Sequence, residues 1–377
     1  MSMDFSPLAN ELESAIAAGA FPGAVMRVSR GDTVLFHEAF GSRSLDPERT
    51  PMARETTFDL SSLTKPLVTA TALMLLVKEN KIRLDDRVTR FLHNFGVHGK
   101  THVTFRHLLA HCSGLPAWRP FFKDIARLEK QGKLNFVSSR AAKEWVYEQI
   151  HRERAEYETG TQAVYSDLGF MLLGETIELV TRTSLDRFCH DRICRPLGLR
   201  ATAFIDLSRL RSRQLAPVSD MIAPTERCPW RKRVLCGEVH DDNAYAMGGV
   251  AGHAGLFANA ADVDALARRL VACWRGEDDF VPREIVQEFW TRDPAVPGST
   301  WALGWDTPSP TGSAGGSRLS PTTVGHLGFT GTSLWIDLER DVILVLLTNR
   351  VHPRRDNERI REVRPRVHDA ALGALAA

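Results

Sequence analysis

Apolar residues fall at helical spacing as soon as the chain begins: Leu8, Leu12, Ile16 and Ala17 share one face and predict an amphipathic helix over residues 7–18. The period then changes. Residues 23–29 and 33–40 are β-branched and apolar runs joined at Gly31-Asp32, which reads as a hairpin. Strand-like runs return near the far end, over 322–328, 333–337 and 342–348, and a final helix fits 357–376. From 66 to 295 the period is mainly helical, with helices predicted over 68–79, 105–111, 141–151, 168–181, 184–189 and 261–275. Residues 301–307 read as one more strand, ahead of a Gly/Ser/Pro-rich connection over 308–321.

Strands cannot leave their backbone edges and one apolar face unpaired, so the two terminal groups are expected to form one antiparallel sheet. The fold class is therefore α/β of the α+β kind, a sheet drawn from both chain ends and flanked by helices. Residues 1–65 with 296–377 make the sheet domain, residues 66–295 a mainly helical insert, and the active site is expected in the cleft between them.

Composition narrows the function. With 48 basic and 46 acidic residues and a formal charge of +2, no long-range field draws this chain to nucleic acid or an anionic membrane. The longest largely apolar run, 66–77, is far short of the roughly 20 residues of a membrane span. The N-terminal segment lacks the basic and apolar regions of a secretory signal, so a cytoplasmic location is expected. The six cysteines show no CxxC pairs and read as reduced, mostly buried thiols. Cys228, Cys236, His240 and His253 match no common zinc spacing, and neither metal nor cofactor is expected.

Candidate chemistry begins at Asp59-Leu60-Ser61-Ser62-Leu63-Thr64-Lys65-Pro66, just before an apolar helical run. An S-x-x-K pair at a helix start sets hydroxyl and amine on one face, where the helix's positive end favours an alkoxide and lowers the lysine's affinity for a proton. Ser62, three residues before Lys65, is the candidate nucleophile; by itself the motif fits a helix cap equally well. Tyr165, in Tyr165-Ser166-Asp167 ahead of a helix, could act as a general base beside an ammonium, or simply be a core phenol. The glycine-dense stretch from Gly325 to Ser333 allows close approach of a ligand or another backbone.

Taken in order, these motifs resemble the superfamily of class C β-lactamases, D-alanyl-D-alanine carboxypeptidases and family VIII esterases, over about residues 7–375. The stretches Leu108-Leu109-Ala110-His111-Cys112-Ser113-Gly114-Leu115-Pro116 and 249–257 add to it. The resemblance implies a β-lactamase/transpeptidase-like fold and a serine hydrolase working through an acyl-enzyme. Ser62 would be acylated, Lys65 would activate it, Tyr165 would shuttle protons, and the backbone N–H groups of Ser62 and Phe329 would form the oxyanion hole. Asp167, His326 and Gly328 would line the substrate site. Related β-lactamases carry Tyr-x-Asn and Lys-Thr-Gly where this chain has Tyr165-Ser166-Asp167 and His326-Leu327-Gly328. Losing a lysine and gaining an anion disfavours substrates that present a carboxylate. The expected function is thus a cytoplasmic esterase acting on a small-molecule ester or amide. The alternatives are a β-lactamase or cell-wall carboxypeptidase, and a catalytically silent binding protein of the same fold. His253 is expected to hold a loop through backbone bonds.

Overall fold

The computed structural model describes residues 3–216 and 220–375. Its main sheet has six strands: β1 (Gly23–Arg30), β2 (Thr33–Ser44), β3 (Thr50–Pro51), β4 (Val324–Leu327), β5 (Ser333–Asp337) and β6 (Val342–Thr348). Their order is β3-β2-β1-β6-β5-β4 and all neighbours are antiparallel. The two chain ends meet at the centre, where Ala24 to Arg30 of β1 pair with Thr348 to Val342 of β6. Both strands are almost wholly buried, which accounts for their near-continuous apolar sequences.

The pleat sorts the side chains of β1. Ala24, Met26 and Val28 join Leu8, Leu12, Leu344, Leu346 and Val367 beneath the helices Ser6–Ala17 and Ile360–Ala374. Ala376, the expected last residue of the final helix, lies outside the described residues. On the other face Arg27 and Ser29 meet the carboxylate of Asp264 on the helix Ala260–Arg275, the Arg27 Nε–H donating over 3.0 Å. That helix falls within the stretch whose period is mainly helical, yet it covers a sheet face.

Residues 301–307 make isolated bridges, Trp301 with Asp306 and Asp306 with Gly325, in place of the expected strand. The chain turns at Gly304, at φ +80°, whose N–H donates to Leu109 O. The helices Phe121–Lys130 and Arg283–Trp290 were not legible as separate units, although each follows a proline at its N-cap. A second, three-stranded sheet has Leu256–Ala258 between Phe58–Asp59 and Ala203–Phe204. The strand Phe58–Asp59 leads directly into the S-x-x-K segment.

Candidate active site

Ser62 does not open an ordinary α-helix. It sits on a 3₁₀ turn, Ser61–Leu63, followed by a π-helical segment, Lys65–Ala70, and then the α-helix Thr71–Lys78. Such departures from α geometry are frequent at functional sites. Ser61 has φ +49°, a conformation costly for a residue with a Cβ. It is held there by the Asp59 carboxylate, which accepts from Ser61 N–H at 2.8 Å, and by Thr64, whose hydroxyl donates to Ser61 O at 2.7 Å. Thr64 Oγ1 also accepts from Leu256 N–H, which ties the turn to the second sheet.

Lys65 is fully buried. Its ammonium donates to Ser62 Oγ at 3.0 Å, Asp167 Oδ1 at 2.7 Å and His253 O at 3.2 Å, and lies 4.6 Å from the centre of the Tyr165 ring. Burial pushes its proton affinity down, but Asp167 and then Tyr165 push it up, and the net direction is above an ordinary lysine. The expected depression by the helix terminus is thus outweighed by a carboxylate in direct contact. Burial raises the Tyr165 phenol; Lys65 opposes that shift and Asp167 adds to it. The resting site therefore holds a lysine cation and a neutral phenol.

Tyr165 is fixed from both flanks by His111. The carbonyl of His111 accepts Val164 N–H at 2.9 Å, and its Nδ1 accepts Ser166 N–H at 3.0 Å. The His111 ring lies 4.7 Å from that of Tyr165, and Trp301 stacks on Tyr165 at 5.3 Å while meeting His111 edge-on at 4.5 Å, so the three rings pack as one cluster. Ser166 caps the helix Asp167–Thr181 through Gly169 N–H, which brings Asp167 to Lys65.

The loop between β4 and β5 closes over the nucleophile's entry segment. Thr330 Oγ1 donates to Asp59 O at 2.7 Å and Thr332 Oγ1 to Leu60 O at 3.1 Å, so Phe329 is carried beside the turn that bears Ser62. A Cβ on Gly328 would stand 2.0 Å from Thr332 Oγ1 and 2.6 Å from Leu60 O, so only glycine fits. The Phe329 side chain is half exposed, with the Arg350 guanidinium 4.5 Å from its ring centre and the His240 ring at 5.6 Å. His326 is 3 % exposed. Its Nδ1 lies 2.8 Å from Leu327 O and donates to it, which leaves Nε2 as an acceptor. Burial, then the Lys65 charge, lower it to about 3. It is a neutral imidazole.

The sequence model of the beta-lactamase family matches residues 8–367. The chain belongs to the beta-lactamase family. Within it, a protein of Escherichia coli (strain K12) provisionally named a D-alanyl-D-alanine carboxypeptidase is 32 % identical over 359 residues, 88 % of this chain and 79 % of that protein. The N-acetylmuramyl-L-alanine amidase of Bacillus subtilis (strain 168) is 33 % identical over 364 residues, 90 % of this chain and 80 % of the amidase. Among solved structures, the hydrolase EstCE1, described as having promiscuous acyltransferase activity, superposes with a TM-score of 0.70 at 22 % identity over 97 % of both chains. The octameric penicillin-binding protein homologue from Pyrococcus abyssi gives 0.73 at 20 % identity, over 98 % of this chain and 78 % of its own. The sheet flanked by helices is thus the β-lactamase/transpeptidase-like fold, and the chain is a beta-lactamase-family serine hydrolase by descent.

The structure of this beta-lactamase-family member brings Ser62, Lys65 and Asp167 into one hydrogen-bonded group, with Tyr165 against it. Phe329 and Gly328 lie on the loop clamped to residues 59 and 60, and His326 lies 6.0 Å from Tyr165, ring to ring. Asp167 does not add a net negative charge to the cleft, because Lys65 neutralises it. His253 was expected to bond backbone; its Nε2 instead lies 3.0 Å from the Asp241 carboxylate, and its own carbonyl accepts from Lys65. Sequence reasoning gave no role to His111, Trp301, Thr330 or Thr332. His111, Thr330 and Thr332 stood in motifs already noticed, but what each of them holds lies far along the chain, which no local spacing reports.

Proposed function

We propose that this chain is an acyl hydrolase whose Ser62 forms an acyl-enzyme with esters and amides that carry no carboxylate beside the scissile carbonyl. The observation that carries this reading is the neutral, buried His326, which presents a lone pair where carboxylate-binding relatives place a lysine. Once the Lys65–Tyr165 pair has given up one proton to solvent, Ser62 Oγ attacks the carbonyl as its own proton passes into the pair, and the pair returns that proton to the leaving alkoxide or amine. The N–H groups of Ser62 and Phe329 receive the oxyanion, and each such donor is worth roughly 3–4 kcal/mol. Water then releases the acyl group by the reverse proton path.

The name of the Bacillus subtilis relative supports a second reading within the same chemistry, hydrolysis of an amide between a muramyl acyl group and an amino acid. A cytoplasmic location belongs to the proposal; buried Cys112, Cys189, Cys194, Cys228 and Cys273 suit a reducing compartment, and fractionation of the native protein tests it. Asp167, His326 and Gly328 would contact a small-molecule substrate, with no nucleic-acid partner. Intact-mass measurement after exposure to a fluorophosphonate, p-nitrophenyl esters, muramyl-L-alanine and a penicillin tests nucleophile and substrate class together. A fluorophosphonate adduct with fast ester turnover is expected; faster turnover of muramyl-L-alanine, whose alanine carboxylate lies beside the scissile amide, would favour the second reading over the first. Fast turnover of the penicillin alone would overturn the substrate reading, and no adduct at all would favour a silent binding protein.

A further inference from the structure

Lys65 has three N–H donors as an ammonium, and the structure spends all of them, on Ser62 Oγ, Asp167 Oδ1 and His253 O. An amine so placed has no lone pair to offer. To take the Ser62 proton it must first give one up, and the shortest of the three contacts, 2.7 Å, is to a carboxylate that holds that proton in place. The other candidate base is Tyr165, and its phenolate would be a second anion next to Asp167. Both routes to an activated Ser62 are therefore opposed by the same charge.

The remaining groups around the pair do not cancel this. His111 and His326, packed against it from the segment after Leu109 and from β4, are buried and neutral, being lowered by burial and by Lys65 itself. The His253 imidazole is engaged by Asp241, and only its carbonyl reaches Lys65. Asp59, on the strand before Ser61, is buried, and burial raises its carboxyl. Among the described residues, Asp167 is the carboxylate ion-paired with Lys65.

We propose that Asp167 sets the working pH of this site, holding Lys65 and Tyr165 in their proton-bearing forms and deferring activation of Ser62 to alkaline solution. This rests on the acyl-enzyme reading above. The role is one of positioning and charge, exerted through Lys65, and not contact with the reacting atoms.

The test is the pH dependence of kcat/KM for p-nitrophenyl acetate, and of the rate of fluorophosphonate labelling, for the wild type, Asp167→Asn and Asp167→Glu. In the wild type both rates should rise through a limb above neutrality. In Asp167→Asn that limb should move down by about one unit or more, so that below the limb the variant is roughly tenfold nearer its own plateau. Asp167→Glu should keep the alkaline limb. A limb left in place in Asp167→Asn overturns the proposal, whatever happens to the plateau. Asp167→Ser supplies the same comparison should the asparagine variant fold poorly. Ser62→Ala, run in parallel, separates the two claims: persisting turnover or labelling there defeats the acyl-enzyme reading, whereas an unmoved limb with Ser62 confirmed defeats only the role of Asp167.

Discussion

At the scale of single residues, neighbouring serines separate cleanly. Ser62 Oγ touches Lys65, whereas Ser61 is buried and its backbone serves to shape the turn. Ser62→Ala should abolish labelling and turnover, and Ser61→Ala should retain labelling; mapping the adduct by peptide mass decides. Lys65 and Tyr165 form one proton-transfer unit in the proposed mechanism, so Lys65→Ala and Tyr165→Phe should each lower kcat by several orders of magnitude. The double variant should be little worse than the poorer single, because members of a unit are not additive; a multiplicative loss in steady-state kinetics would argue for separate roles. His326 bears on substrate choice. His326→Lys with Asp167→Asn would place a free cation in the cleft, worth about 1–4 kcal/mol at ~4 Å from a substrate carboxylate. The ratio of penicillin to p-nitrophenyl ester turnover should rise, and added salt should shrink the gain. Ser62 and Lys65 were legible because three residues of separation on a helical turn fixes their proximity. The charge state of Lys65 was not, since Asp167, which decides it, is distant in the chain.

At the scale of elements, the site depends on how the β4–β5 loop seats on the segment before Ser62. Gly328→Ala must push either Thr332 or the Leu60 carbonyl aside. Because the loop also carries Phe329, kcat for an ester should fall by about 10²–10³, the loss seen when one oxyanion donor is misplaced. Far-ultraviolet circular dichroism should be unchanged, which distinguishes a displaced loop from an unfolded one. Helices and strands with long periodic runs were readable, including β1, β2, β5 and β6. The 3₁₀ and π segments around Ser62 were not, because the local side-chain bonds of Asp59 and Thr64 that shape the turn leave no periodic signal and Leu256, which anchors it, is distant in the chain.

At the scale of the whole molecule, the helix Ala260–Arg275 is fastened to the sheet by a buried carboxylate. Asp264 is fully buried, accepts from Arg27 Nε at 3.0 Å and from the Ser29 hydroxyl, and is ion-paired with Arg268. Asp264→Ala would leave the Arg27 charge, 8 % exposed, without its carboxylate. A loss of about 3–5 kcal/mol is expected from breaking such a pair, measured by urea unfolding. The sequence by itself determined the strongly periodic helices and strands, that the two ends share one sheet, and that a serine, a lysine and a tyrosine recur in a hydrolase order. Period and motif spacing are local properties, and a sheet with unpaired edges forces its two halves together. Only the tertiary structure decided that the helix Ala260–Arg275 lies on the sheet, that His111 grips both flanks of Tyr165, and that Asp167 neutralises Lys65. Those are contacts between residues far apart in the chain, and the charge and orientation of a buried group are set by whatever folding happens to place beside it.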